Sequence, residues 1–333
     1  MTAELATKKH QRGVGLASHV ATLSGLIKPK ANSLMVTVFG DSVTPHGGGV
    51  WLGSLVKLVE PLGLNERLVR TAVNRLATDD WLARQTIGRR AFYGLSDTGR
   101  RRFERATRRI YAGSPPAWDG RWRIVVAGAI RADDARRDGL RRELTWQGFG
   151  AIAPGVFAHP MSETTELDQT LRDLGLADQV VVFDTEATAN GTLTSSDALG
   201  PMRGLAAHGW DLDRLGAAYR GFLDRFRPIW RGLKGDSRID PEHGFVIRTL
   251  LIHEYRRAIL RDPMLPDELL PIDWPGTAAR ALCGDLYRRV WQSAEAYVLS
   301  NLESADGPLP EAAPSFFRRF GGLTPDTAGD QLI

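Results

Sequence analysis

Apolar positions along this chain follow a helical period in the first third, a strand period in the middle and a helical period again towards the end. In "WLGSLVKLVE" (51–60), Leu52, Leu55, Val56 and Val59 share one helix face, and Pro61-Leu62-Gly63 then makes a turn. Asn65 is placed to cap the next segment, "ERLVRTAVNRLATDD" (66–80). At 100° per residue its Leu68, Val69, Ala72, Val73 and Leu76 fall on one side, with Arg67, Arg70, Thr71, Asn74 and Thr78 opposite. "WLARQTIGRRAFYGLS" (81–96) reads as two short strands, 82–85 and 91–95, around Gly88-Arg89-Arg90, and Gly88 can supply the positive φ of the turn. Helix, turn, helix and basic-tipped hairpin make a winged helix. A helix over 33–39, capped by Ser33 and stopped by Gly40, is expected before it, and an arginine-rich helix from Asp97 or Thr98 after it.

The middle of the chain changes period. Residues 121–130 alternate into a buried strand, 132–145 form a charged helix, and 149–153 and 156–158 are short strands split by Pro154-Gly155. A helix over 163–174 and a strand over 179–184 complete the order βαββαβ, a ferredoxin-like pattern. Residues 185–200 are polar and rich in Gly and Ser, as an exposed linker would be. Long helical patterns over 212–230, 245–261 and 278–301 then suit a bundle. The expected fold is mainly α with an α+β part: a winged helix-turn-helix at 33–111, a ferredoxin-like domain at 118–186 and a helical C-terminal domain at 201–303. Residues 1–32 and 304–333 read as tails.

Charge sharpens this picture. Residues 1–111 hold 18 Lys and Arg against 8 Asp and Glu, a net +10, while the remainder is −6. A basic head on an acidic body points to double-stranded DNA as the head's partner. Outward Arg and Asn are the side chains that pair bidentately with guanine and adenine, and Thr suits a phosphate or a thymine methyl. The expected DNA contacts are therefore Arg67, Arg70, Thr71, Asn74 and Arg75 on the second helix and Arg89 and Arg90 on the wing. One cysteine, Cys283, allows no disulfide within the chain, and no apolar run is long enough for a membrane helix. The first residues lack the apolar stretch of a secretory signal, so a cytoplasmic protein without membrane contact is expected.

One stretch points elsewhere. "TVFGDSVTPH" (37–46) carries Gly40-Asp41-Ser42, the nucleophile block of a serine esterase class. His46-Gly47-Gly48-Gly49 resembles an oxyanion-hole run, and Asp240-Pro241-Glu242-His243 has the Asp-x-x-His spacing of the remaining triad members. A Ser42–Asp240–His243 esterase is the rival reading. Against it, the helix-turn-helix begins directly after Ser42 and leaves no room for the βαβ layers that hold such a triad. Asp240-Pro241 reads more simply as a helix start, with proline at the first helical position. No enzyme is expected, and no cofactor. His253-Glu254-Tyr255-Arg256-Arg257 fails the His-Glu-x-x-His zinc motif at Arg257, and Asp133 and Asp134 come too late to serve as the metal aspartate of a ferredoxin-like nuclease.

With these residues in view, the chain resembles the PaaX family, repressors of phenylacetic-acid degradation. The resemblance rests on "FGD" (39–41), "GGVWLGSLVKLVEPLGLNERLVRTAVNRLATDDWL" (48–82), "GRRAFYGLSDTGRRRF" (88–103), "RIY" (109–111), "WDGRWRIV" (118–125) and "LIHEYRRAILRDPMLPDELLPIDWPG" (251–276). It implies a repressor without catalysis, released from its operator by an aryl-CoA thioester such as phenylacetyl-CoA. His253, Arg256 and Arg257, or Arg248-Thr249, then become candidates to meet the CoA phosphates, with Trp274 and nearby prolines as an apolar wall. A homodimer is expected, because one recognition helix reads too few base pairs to select a promoter.

Overall fold

The computed structural model describes residues 15–113, 117–128, 130, 135–160, 164–186, 199–233 and 238–324. Asp133, Asp134 and most of the 185–200 linker lie outside the described residues. The chain divides into two compact units: Met1–Gly113 with Arg220–Leu260 and Thr277–Ile333, and Ser114–Tyr219 with Arg261–Gly276.

The first unit opens with α1 (residues 15–26), which buries Leu16, Val20 and Leu23. Then come α2 (Ala31–Val38), β1 (Gly49–Trp51), α3 (Leu52–Leu58), α4 (Glu66–Thr78), β2 (Leu82–Ile87), β3 (Arg90–Leu95) and α5 (Asp97–Ile110). The strands form an antiparallel sheet in the order β1-β3-β2, with Ile87 paired to Arg90 across Gly88 at φ +60°. This is the expected winged helix. α4 is capped as predicted, Asn65 Oδ1 accepting from Leu68 N at 3.0 Å. Ser96 caps α5 in the same way, and Gly99 is required there because a Cβ would lie 1.9 Å from the Trp81 carbonyl oxygen. Gly40 does not stop the first helix. α2 is preceded by Lys30, without a side-chain cap, and continues into a single π-helical turn, Phe39–Val43. Gly40 instead admits the Phe103 ring, which a Cβ would meet at 3.0 Å.

After α9 (Leu212–Leu233) in the chain, α10 (Pro241–Ile259) of this unit is buried along most of its length, the polar Arg248, Thr249, His253 and Glu254 included. Its start is the predicted one: Asp240 Oδ1 accepts from Glu242 N and His243 N, with Pro241 at the first position. The segments expected as tails are folded where described. After α11 (Pro275–Asn301), β8 (Glu303–Ser304) and β9 (Gly307–Pro308) form a small hairpin. α12 (Pro314–Phe317) follows and buries Phe316, and Arg319, Phe320 and Leu323 beyond it are also buried. Their few apolar residues lie among Pro, Gly and charge, so no period marks them in the sequence.

The second unit is the expected βαββαβ domain. β4 (Arg121–Val126), α6 (Ala135–Trp146), β5 (Gly150–Ala153), β6 (Val156–His159), α7 (Thr164–Asp173) and β7 (Val181–Glu186) give an antiparallel sheet ordered β5-β6-β4-β7. Alternation along the strands buries both faces. Val125 and Phe157 point to a core with Leu140, Leu144, Leu167 and Leu171 from α6 and α7. Trp122 and Ala158 point the other way, onto Met202 and Ala206 of α8 (Leu199–Gly209) and onto Leu265, Leu269 and Leu270. β7 is an edge strand that leaves Val181 and Phe183 about half exposed.

Candidate nucleic-acid interface

α4 is held by Val69, Ala72, Val73 and Leu76, all buried. The opposite surface carries Arg67, Arg70, Thr71, Asn74 and Arg75, all exposed, so the structure gathers the five predicted helix residues on one accessible side. Two of them are already oriented. Arg70 donates through Nε to Glu66 Oε1 at 2.7 Å, one helical turn earlier. Asn74 Oδ1 accepts from Tyr93 OH at 2.7 Å, which fixes the amide and leaves its NH2 directed away from the wing sheet. The sequence pattern placed Leu68 in the buried stripe. It is 43% exposed, because it lies at the edge of the apolar arc, in the first turn.

Arg89 is exposed in the wing turn, and Arg90 is the first residue of β3. The Arg90 guanidinium lies 4.1 Å from the Trp51 ring centroid and 3.4 Å from Glu303 of the C-terminal hairpin. Trp51 in turn donates its Nε1–H to Ser304 O at 2.7 Å. The wing is thus braced by a hairpin that sequence reasoning assigned to a tail. His46-Gly47-Gly48-Gly49 leads into it rather than forming an oxyanion hole. Gly47 and Gly48 have φ of +88° and +78°, and a Cβ at Gly49 would meet the Phe92 ring at 2.6 Å.

Behind this surface is a buried ionic centre. Arg248 of α10 is fully buried. Its Nε meets Asp41 Oδ2 at 3.0 Å, its Nη1 donates to Glu295 Oε2 at 2.7 Å and its Nη2 donates to Ser42 Oγ at 3.0 Å. Asp41 Oδ1 accepts from Tyr111 OH, Tyr287 OH and Arg319 Nη1 at 2.6, 3.0 and 3.0 Å. Both ring nitrogens of buried His46 face oxygens, Pro310 O at 2.7 Å and Glu295 Oε1 at 2.5 Å. Burial alone would raise the Glu295 carboxyl, but the Arg248 charge and the hydrogen bonds from His46 and Arg248 outweigh it and hold it at about 2. Burial raises the Tyr111 and Tyr287 hydroxyls, which stay protonated and donate to Asp41. This settles the esterase reading against itself. Ser42 is 1% exposed and faces a permanently charged guanidinium, which cannot act as a base, and Asp240 is spent on capping α10.

Comparison with known proteins places this geometry. Three family models match in succession: "PaaX-like protein" over residues 30–99, "PaaX protein central Cas2-like domain" over 115–197 and "PaaX-like protein C-terminal domain" over 210–300. The transcriptional repressor PaaX of Escherichia coli K12 is 41% identical over 292 residues, covering 87% of this chain and 90% of that one. The chain belongs to the PaaX family. Among solved structures, the uncharacterized protein Rv0674 from Mycobacterium tuberculosis is 25% identical, with a TM-score of 0.53 over 80% of this chain and 98% of that one.

The Asp41 centre is what sequence reasoning missed in this PaaX-family chain. The local signal was a cluster of polar residues, Asp41, Ser42 and His46, directly after the apolar helical run of 34–39. The residues proposed to meet an effector have mixed placements. His253 is buried, with Nδ1 3.0 Å from Thr37 Oγ1, and burial with the nearby Arg256 and Arg257 charges pushes it down to about 3, so it is neutral. Arg256 donates to Thr37 Oγ1, Ser33 O and Ser33 Oγ at 2.7 to 2.9 Å, and burial lowers it to about 10. Both therefore stitch α10 to α2. Arg257 is exposed and pairs with Glu254. Trp274 and its prolines belong to the second unit. Trp274 packs with Leu265, Leu269 and Leu270 and lies edge-on to Tyr219. Among the described residues no cluster of His, Cys, Asp and Glu could hold a metal, and no helix is long and apolar enough to cross a membrane.

Proposed function

We propose that this chain is a DNA-binding transcriptional repressor of a phenylacetate-type catabolic operon. The observation that carries the reading is the α4 surface: three arginines, a threonine and an oriented asparagine exposed together beside a basic wing, in a chain 41% identical to a transcriptional repressor. α4 enters the major groove. Its Arg and Asn read base edges while Arg89 and Arg90 contact the backbone or the minor groove. Repression follows by occlusion of the promoter.

The working unit is a homodimer whose two α4 helices meet half-sites about 34 Å apart or a multiple of that spacing. Support comes from the unpaired edge of β7, where Val181 and Phe183 stand half exposed as solvated strands rarely do. An aryl-CoA thioester, phenylacetyl-CoA or a close relative, releases the complex by favouring an arrangement in which the heads no longer match the half-sites. Arg257 is the accessible member of the proposed effector set, and His253 and Arg256 would act through the α10–α2 seam that they hold.

The test is a gel shift on promoter fragments from a phenylacetate-type operon, titrated with phenylacetyl-CoA and with free phenylacetate. A sequence-selective complex that the thioester dissolves and the acid leaves intact is the expected result. Equal effects of acid and thioester would sink the effector reading. Binding no tighter than to random duplex would sink the repressor reading.

A further inference from the structure

We infer that Leu68 reads the 5-methyl group of a thymine in the major groove, an inference that rests on the reading of α4 as the DNA-contacting helix. Leu68 is the third residue of α4 and is 43% exposed. The helix does not need it for anchorage, since Val69, Ala72, Val73 and Leu76 are buried without it. Its neighbours at the surface are Arg67, Thr71 one turn on and Arg75 two turns on, all exposed. An apolar side chain on a surface that also exposes Arg67 and Arg75 suits a groove walled by phosphates. A protein partner is the poorer fit, because interface centres are depleted in charge. The first turns of a recognition helix are the part that reaches base edges. There, thymine is the base that presents a methyl group, and apolar side chains are what contact it. The Arg and Asn side chains assigned to α4 distinguish guanine and adenine, and Leu68 adds a purely apolar contact for thymine beside Thr71, whose hydroxyl can go to a phosphate instead.

The experiment first selects binding sites for the full chain from a random duplex pool. Each thymine of the selected site is then replaced singly by deoxyuridine, which removes only the methyl group. Affinities are measured for the unaltered protein and for Leu68→Ala, with Leu68→Gln as a second variant. Thermal midpoints check that both variants keep the fold, as expected for an exposed position. At one thymine, and its mate in an inverted repeat, deoxyuridine weakens the unaltered protein about threefold to fivefold, the value of one buried methyl group. In both variants that loss disappears, while binding to other altered positions is unchanged. Three results overturn the inference: a selected site without thymine, deoxyuridine silent at every position, or a loss that persists in Leu68→Ala. A pool that never enriches overturns the DNA-binding reading as well, and that outcome is distinct from an enriched site on which Leu68 has no effect.

Discussion

Asp41 and Arg248 are the pair on which the first unit turns. Each is 1% exposed or less, so neither has water as an alternative partner. Arg248→Ala leaves Asp41 and Glu295 buried without their main counter-charge, and we expect a loss of about 3–5 kcal/mol. Urea denaturation followed by tryptophan fluorescence checks this, and an unchanged midpoint would contradict the network. Acid acts on the same residues. Glu295 sits at about 2 in the folded state, below its ordinary 4.5. The stability it adds is therefore complete above about 4.5 and is lost as pH falls towards 2, on the order of 3 kcal/mol. His253, held neutral down to about 3 against an ordinary 6.5, adds a second loss that begins near pH 6.5, because the unfolded chain takes up a proton that the folded one refuses. Stability measured between pH 7 and 4 should fall, and His253→Gln should flatten that fall by about one proton. At this scale the sequence was legible where the partner is local. Asn65, Gly88 and Pro241 all do what their neighbours imply. Asp41 was not, since Arg248 and Arg319 are 207 and 278 positions away.

Among the elements, the proposed reading divides the DNA-binding work between α4 and the β2–β3 hairpin. Arg70 and Asn74 are oriented by Glu66 and Tyr93, so their geometry is set before any base is met. Arg70→Ala or Asn74→Ala should cost about 1–3 kcal/mol on the specific site and relax preference at single positions. Arg89→Ala should weaken binding evenly across sequences and reduce the salt slope by about 1. Gel shifts at several salt concentrations separate the two behaviours, and identical responses would remove the division. Period and turn chemistry made α4, the wing and the βαββαβ order readable, because each buries one face of a regular element. The π-helical turn at Phe39–Val43 was not readable. It exists to fit Phe103 against Gly40 and to aim Asp41 inward, and no local preference encodes either.

For the whole molecule, two predictions apply. Light scattering should give twice the 36.6 kDa chain mass for the free protein, and the same protein mass after subtraction of the duplex on DNA. A value near one chain mass in both states would remove the dimer. Secondly, residues 1–113 alone should fail to fold as a stable head, since Asp41, His46 and Ser42 would lose Arg248, Glu295 and Arg319. A sharp cooperative melt for that fragment would contradict this. The sequence divided the chain into consecutive blocks, which matches how its patterns change along the chain. It could not show that residues 220–260 and 277–324 return to complete the first block. Such returns are made by buried charge and by short segments such as 303–323, and neither has a period.

That return has a consequence for how the protein is made. The groups that enclose Asp41 are translated long after it, Arg248 following by 207 residues and Arg319 by 278. The head is translated well before the segments that complete it. During that interval the nascent chain carries an uncovered carboxylate and an unbraced wing. A polypeptide cut short by a nonsense codon or by proteolysis near residue 300 would lack Arg319 and the bracing hairpin, and its head is expected not to hold DNA.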